Sequence, residues 1–73
     1  MSYDEPLYEI KEHIGIISRS PYGYQKELNL ISWNGAEPKF DIREWSEDHQ
    51  RLSRGIILTE DEMNAICDLV LNR

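Results

Sequence analysis

The sequence predicts an α+β fold: four antiparallel strands followed by one C-terminal helix, in the order ββββα, as a single domain spanning residues 1–73. Three observations carry this expectation. Apolar and polar residues alternate at period two in successive stretches up to Leu58. Asn34-Gly35 separates two of these stretches, and both residue types tolerate the positive φ that a tight hairpin needs. Thr59-Glu60-Asp61-Glu62 has the Thr-x-x-Glu spacing of a capping box and precedes apolar residues at helical spacing.

The first strand is expected over residues 7–18, where Tyr8, Ile10, Ile14 and Ile16 recur at period two as the apolar side of a half-buried strand. Arg19 to Gly23 is a turn punctuated by Pro21 and Gly23. The second strand, residues 24–33, sets Tyr24, Leu28 and Leu30 on one face and Glu27, Asn29 and Trp33 on the other. In the third, residues 38–45, Phe40 and Ile42 point one way; Lys39, Asp41, Arg43 and Trp45 point the other. Residues 46–53 read as a polar loop and Gly55 to Leu58 as a short fourth strand, too brief for a helix.

The helix should run from the capping box to about Asn72, with the acids of its first turn matching the positive end of the helix dipole. At about 100° per residue its apolar positions, Met63, Ile66, Cys67, Leu69, Val70 and Leu71, span roughly 200°. One sheet needs a narrower stripe. The excess calls for a second surface, and a second copy of the same helix is the simplest, with Met63, Ile66, Cys67 and Val70 at the contact; the alternative is a monomer with one exposed apolar flank. A chain of 73 residues is marginal alone, and small domains add disulfides, metals or partners. Cys67 is the single cysteine and there is no Cys/His pattern with zinc spacing, so a homodimer is expected, with no metal and no cofactor.

A lone thiol suits a reducing compartment. Met1 to Pro6 is acidic and lacks a basic-then-apolar leader, and no apolar run is long enough to cross a membrane. The chain is therefore expected to be cytoplasmic, and associated with the nucleoid if bacterial. Its net charge of −6 taken as a sum argues against phosphate binding. The acids concentrate at the ends, however: Asp4, Glu5 and Glu9, then Glu60, Asp61, Glu62 and Asp68. Between them Lys11, Arg19, Lys26, Lys39, Arg43, Arg51 and Arg54 interleave with an equal number of acids, so one face there can be cationic.

Phe40-Asp41-Ile42-Arg43-Glu44-Trp45, a polar loop, and Arg54-Gly55-Ile56-Ile57-Leu58-Thr59 leading into a capped helix together resemble the transcriptional positive-cofactor-four family. The compact form without a Ser-rich tail is similar to its bacterial YdbC-like branch. The resemblance implies a strongly curved antiparallel sheet, dimerisation largely through the helices, and grooves that hold single-stranded DNA with little sequence preference in transcription or in the handling of unpaired DNA. It also implies roles for particular residues: Arg43 and Arg54 as basic contacts, and Trp33 and Trp45 as the family's aromatics. Lys26 and Lys39 match more loosely.

Chemistry agrees with those roles without requiring them. Unpaired bases expose faces that stack on aromatic rings while a cationic track follows the phosphates. Trp45 shares a strand face with Arg43 and Lys39, which interleaves an aromatic with cations. Against this, tryptophans in small domains are commonly core, and Arg43 has Asp41 nearby as a partner. His13 and His49 read as surface residues, and no nucleophile–base arrangement is visible, so an enzyme is not expected. RNA is a further candidate ligand, because stacking does not distinguish the sugar. The competing class is a protein-interaction module docking on RNA polymerase or other transcription proteins through the acidic surface, with a degenerate DNA face.

Overall fold

A computed structural model describes residues 7–73; the acidic stretch Met1 to Pro6 lies outside them. The chain runs β1 (Tyr8–Arg19), β2 (Tyr24–Trp33), β3 (Lys39–Ser46), β4 (Leu52–Leu58) and α1 (Glu60–Leu71). The strands form one antiparallel meander in the order β1-β2-β3-β4, so the ββββα order matches the expectation. Asn34 and Gly35 both take positive φ, 52° and 75°, and the Ala36 N–H closes the turn on the Trp33 carbonyl at 2.9 Å. Thr59 caps α1 as expected: its hydroxyl accepts from the Glu62 N–H at 3.1 Å, and the Glu62 carboxylate accepts from the Thr59 N–H at 2.8 Å.

β4 begins at Leu52, earlier than expected. The preceding polar segment is a tight turn that leaves its neighbours free to pair. The Ser46 N–H donates to the Arg51 carbonyl at 2.9 Å, the Arg51 N–H donates to the Ser46 hydroxyl at 3.0 Å, and His49 supplies the left-handed residue at φ 59°. Ser53 and Arg54 then bulge opposite Glu44, whose N–H donates to the Ser53 hydroxyl at 3.1 Å.

β1 departs most from simple alternation. Its register on β2 slips three times, between Ile10 and Glu12, His13 and Gly15, and Ile16 and Ser18. Each bulge adds a residue and increases local coiling. Ile10, His13 and Ile16 therefore stand opposite Ile31, Asn29 and Glu27, a period of three that takes Ile14 out of the row it was expected to share.

The sheet is bent into a bowl. Tyr8 pairs with Trp33 at one end of β2 and Trp45 with Gln25 at the other. On a flat strand those positions lie about 26 Å apart, at about 3.3 Å per residue. Yet the Tyr8 and Trp45 ring centroids are 5.6 Å apart. This curvature decides which face is buried. The enclosed face is the polar one: Glu27, Asn29 and Asp41 are fully buried there with Ile31 and Trp45. Leu28, Leu30, Phe40 and Ile42, the apolar faces of β2 and β3, lie on the convex side and are only half-buried, and Ile56 is exposed. A single-layer sheet buries the face it curls around, whatever that face carries.

α1 touches β3 and β4 and buries none of its residues. Met63 is half-buried; Ile66, Cys67, Leu69, Val70 and Leu71 are exposed. None of the described helices is long and apolar enough to cross a membrane.

Candidate nucleic-acid interface

The concave face is organised around Asp41. Its carboxylate accepts from Arg43 Nε at 2.5 Å and Nη2 at 2.7 Å, and from the Trp33 indole N–H at 3.1 Å. Arg43 Nη1 donates to the Ser53 carbonyl at 3.2 Å. The guanidinium lies over the Trp33 ring, 4.6 Å from its centroid, which adds cation–π attraction. An Asp two residues before an Arg on one strand face can meet it side on because the bowl's inner side brings alternate side chains together. Three of the five guanidinium N–H groups are thus committed, leaving two free.

Gly55 makes this possible. It stands opposite Arg43 on β4. A Cβ there would run into the Arg43 Cβ and the Ile42 carbonyl and come within 2.9 Å of Arg43 Nε. The glycine of the Arg-Gly-Ile stretch is therefore a steric requirement of the arginine's seat.

Above this layer opens a cavity of about 470 Å³ lined by Tyr8, Trp33, Arg43, Gln50, Leu52, Ser53 and Arg54. Its lining combines the aromatic rings of Tyr8 and Trp33 with the cationic Arg43 and Arg54 and the polar Gln50 and Ser53. Tyr8 and Trp33 pack with ring centroids 5.3 Å apart at 45°. Arg54 is exposed, with no carboxylate in ion-pair contact among the described residues.

Deeper in the bowl lies a second buried carboxylate. Glu27 accepts from Gln25 Nε2 at 2.5 Å, Asn29 Nδ2 at 3.1 Å and His49 Nε2 at 2.9 Å. Burial alone would raise its pKa, but the Gln25, Asn29 and His49 hydrogen bonds and the charge of His49 outweigh it, and the pKa falls below the ordinary value of 4.5. His13 Nδ1 lies 2.7 Å from Asn29 Oδ1, so both histidines join this network from the surface expected for them, His13 exposed and His49 half-buried. The His49 ring also packs on Trp45, centroids 5.2 Å apart.

Of the residues singled out in the sequence, Trp33, Arg43 and Arg54 converge on the cavity. Trp45 does not. It shares a face with Arg43, but that face is the inside of the bowl; the ring is fully buried beneath Tyr8 and His49 and presents no face for a base to stack on. Lys26 is also misplaced as a groove residue: it alternates with Glu27 and so stands on the convex side with Leu28, opposite Glu44. Lys39 is exposed at the start of β3, on the strand face of Asp41 and Arg43 but outside the cavity wall. Tyr8, Gln50 and Ser53 were missed. Only the curvature brings Tyr8 of β1 to the end of the bowl where β4 begins, and no local pattern announces it.

A meander bent into a bowl, with an aromatic and cationic inner rim and a capped helix behind it, has the form of a small nucleic-acid-binding module. The sequence model of the Transcriptional Coactivator p15 (PC4) family matches residues 21–69. An uncharacterized protein of Treponema pallidum (strain Nichols) is 42% identical over 67 residues, covering 92% of this chain and 79% of that protein. The chain belongs to the PC4 family, and the bacterial relative fits a bacterial branch of it.

Proposed function

We propose that the concave face binds single-stranded DNA with little sequence preference, in transcription regulation or the handling of unpaired DNA, and that the protein is a cytoplasmic binding module rather than an enzyme. The observation that carries this is the cavity that Tyr8, Trp33, Arg43 and Arg54 line together. Bases stack against the aromatic rings. Arg54, the two free N–H groups of Arg43 and, further along the rim, Lys39 meet the phosphates. Because Asp41 neutralises Arg43, Arg54 and Lys39 supply the site's net positive charge. A duplex offers its bases only in grooves, so it does not present the faces these rings take.

The exposed helix and the half-buried convex face support a homodimer in which Met63, Ile66, Cys67 and Val70 meet a second copy. The net charge of −6 favours a second reading, in which acidic surface docks on RNA polymerase or other transcription proteins and the DNA face is weak.

The test is fluorescence anisotropy of a labelled oligo-dT of about 20 nucleotides, set against the matching duplex and the matching RNA, at low and moderate salt. Single-strand binding that weakens as salt rises, as counterion release requires, supports the DNA reading. No binding at low salt refutes it and leaves the protein-docking reading. Equal affinity for the RNA would widen the ligand class to single strands of either sugar.

A further inference from the structure

We propose that Tyr8 is the ring on which an unpaired base stacks in this cavity, with Trp33 as its backing rather than the open platform; the inference rests on the concave face being a single-strand site. Tyr8 lies on β1, before the residues 21–69 that match the family. Trp33 is held on two sides. The Arg43 guanidinium lies over its ring at 4.6 Å, and Tyr8 packs against it at 5.3 Å. Its indole N–H is spent on Asp41. Trp45, the third ring of the cluster, is fully buried.

Tyr8 is the most accessible of the three, 38% exposed, and it lines the cavity. Its ring rests on both tryptophans, so a base landing on it meets a surface already fixed in orientation. Pre-ordered rings lose little freedom on binding, which favours affinity. Arg43, Ser53 and Arg54 line the same cavity, with Leu52 as an apolar neighbour. A base on Tyr8 therefore has two cationic side chains in the same cavity for its phosphate. The ligand class is a single-stranded oligonucleotide taken through base faces, with no requirement for a particular base.

The experiment compares the full-length chain with Tyr8→Ala, Tyr8→Leu and Tyr8→Phe, using labelled oligo-dT in anisotropy, with circular dichroism and urea midpoints as folding controls. Tyr8→Phe keeps the ring and should bind within twofold of the parent. Tyr8→Leu keeps apolar bulk against both tryptophans, so it tests stacking even where Tyr8→Ala fails to fold. Either truncation should weaken binding about 5- to 150-fold, the equivalent of one stacked base. As a second readout, an oligonucleotide carrying 5-iodouracil is photo-crosslinked and the attached residue mapped; the adduct is expected on Tyr8. Parent-like affinity in Tyr8→Leu, or an adduct on Trp33 with none on Tyr8, overturns the assignment while leaving the site in place. Failure of the parent itself to bind would instead overturn the site, and the assignment with it.

Discussion

Replacing Asp41 by Asn tests whether Arg43 is built into the bowl or waits for a phosphate. Asp41 is fully buried and the Arg43 side chain is only 10% exposed, so solvent screens the pair little. Asn can keep the Trp33 hydrogen bond through its one oxygen, but its amide nitrogen then faces a guanidinium N–H, donor against donor. The variant loses charge-assisted bonds worth about 1.5–3 kcal/mol and leaves a nearly buried cation unpaired, a situation that costs about 3–5 kcal/mol. We expect about 3 kcal/mol, or roughly 150-fold in the folded-to-unfolded ratio. With a urea slope of about 1 kcal/mol/M the midpoint should move by about 3 M, compared at one protein concentration. Removing both charges, as Asp41→Asn with Arg43→Met, should cost clearly less than the sum of the single changes. Nuclear magnetic resonance supplies a structural signature: the Trp33 indole N–H signal should shift strongly and that of Trp45, which has no protein acceptor, should not. A midpoint shift below about 0.5 M would place the pair among weak surface bridges and refute the architecture drawn around Asp41.

Gly55→Ala should destabilise by about 1–3 kcal/mol through overpacking against Arg43 and Ile42, and should weaken oligonucleotide binding by displacing the guanidinium from Trp33; an unchanged urea midpoint would refute it. Glu27 has a lowered folded-state pKa, so the stability it contributes is present above its unfolded value near 4.5 and is lost as pH falls through the lower folded value. Glu27→Gln should therefore flatten the acid limb of the stability–pH curve, measured by urea midpoints, and an acid limb parallel to the parent's would count against the Glu27 network. Trp45→Phe keeps an aromatic ring beside Tyr8 and His49 and removes an N–H without a partner; it should cost about 1–3 kcal/mol for the volume lost and leave oligo-dT affinity within twofold, whereas a large affinity loss in a folded variant would restore Trp45 as a base platform.

Strand order, the Asn34-Gly35 hairpin and the Thr59 cap were legible because each depends on a few adjacent residues. So was the partition of β2 and β3 into two faces. What could not be read was which face the sheet encloses, since that follows from the bulges in β1 and the bend of β2, and apolar alternation carries no sign for curvature. One signal was available in retrospect. The enclosed face of β2 and β3 carries Gln25, Glu27, Asn29 and Asp41, side chains that can satisfy one another when buried, while Lys26 stands on the other face. In the site, Trp33, Arg43 and Arg54 were within reach of motif spacing. Tyr8 was not, because its position is set by three strands of curvature rather than by neighbours in sequence.

The curvature also links the two proposed surfaces. Ile42 and Ile56 face the convex side, while their neighbours Arg43 and Gly55 form the concave seat. A copy packed against the convex side and α1 would hold the same strands that hold Arg43 and Arg54. Val70→Asp puts a charge on the exposed apolar flank of α1, remote from the cavity lining. Sedimentation should show the variant shifted to monomer, and anisotropy on the same samples should show weaker oligo-dT binding, because an unsupported edge strand opens locally at lower cost. If the parent is already monomeric at working concentration, the dimer proposal fails. If Val70→Asp is monomeric yet binds as tightly as the parent, the bowl is rigid on its own, and the convex face serves assembly alone.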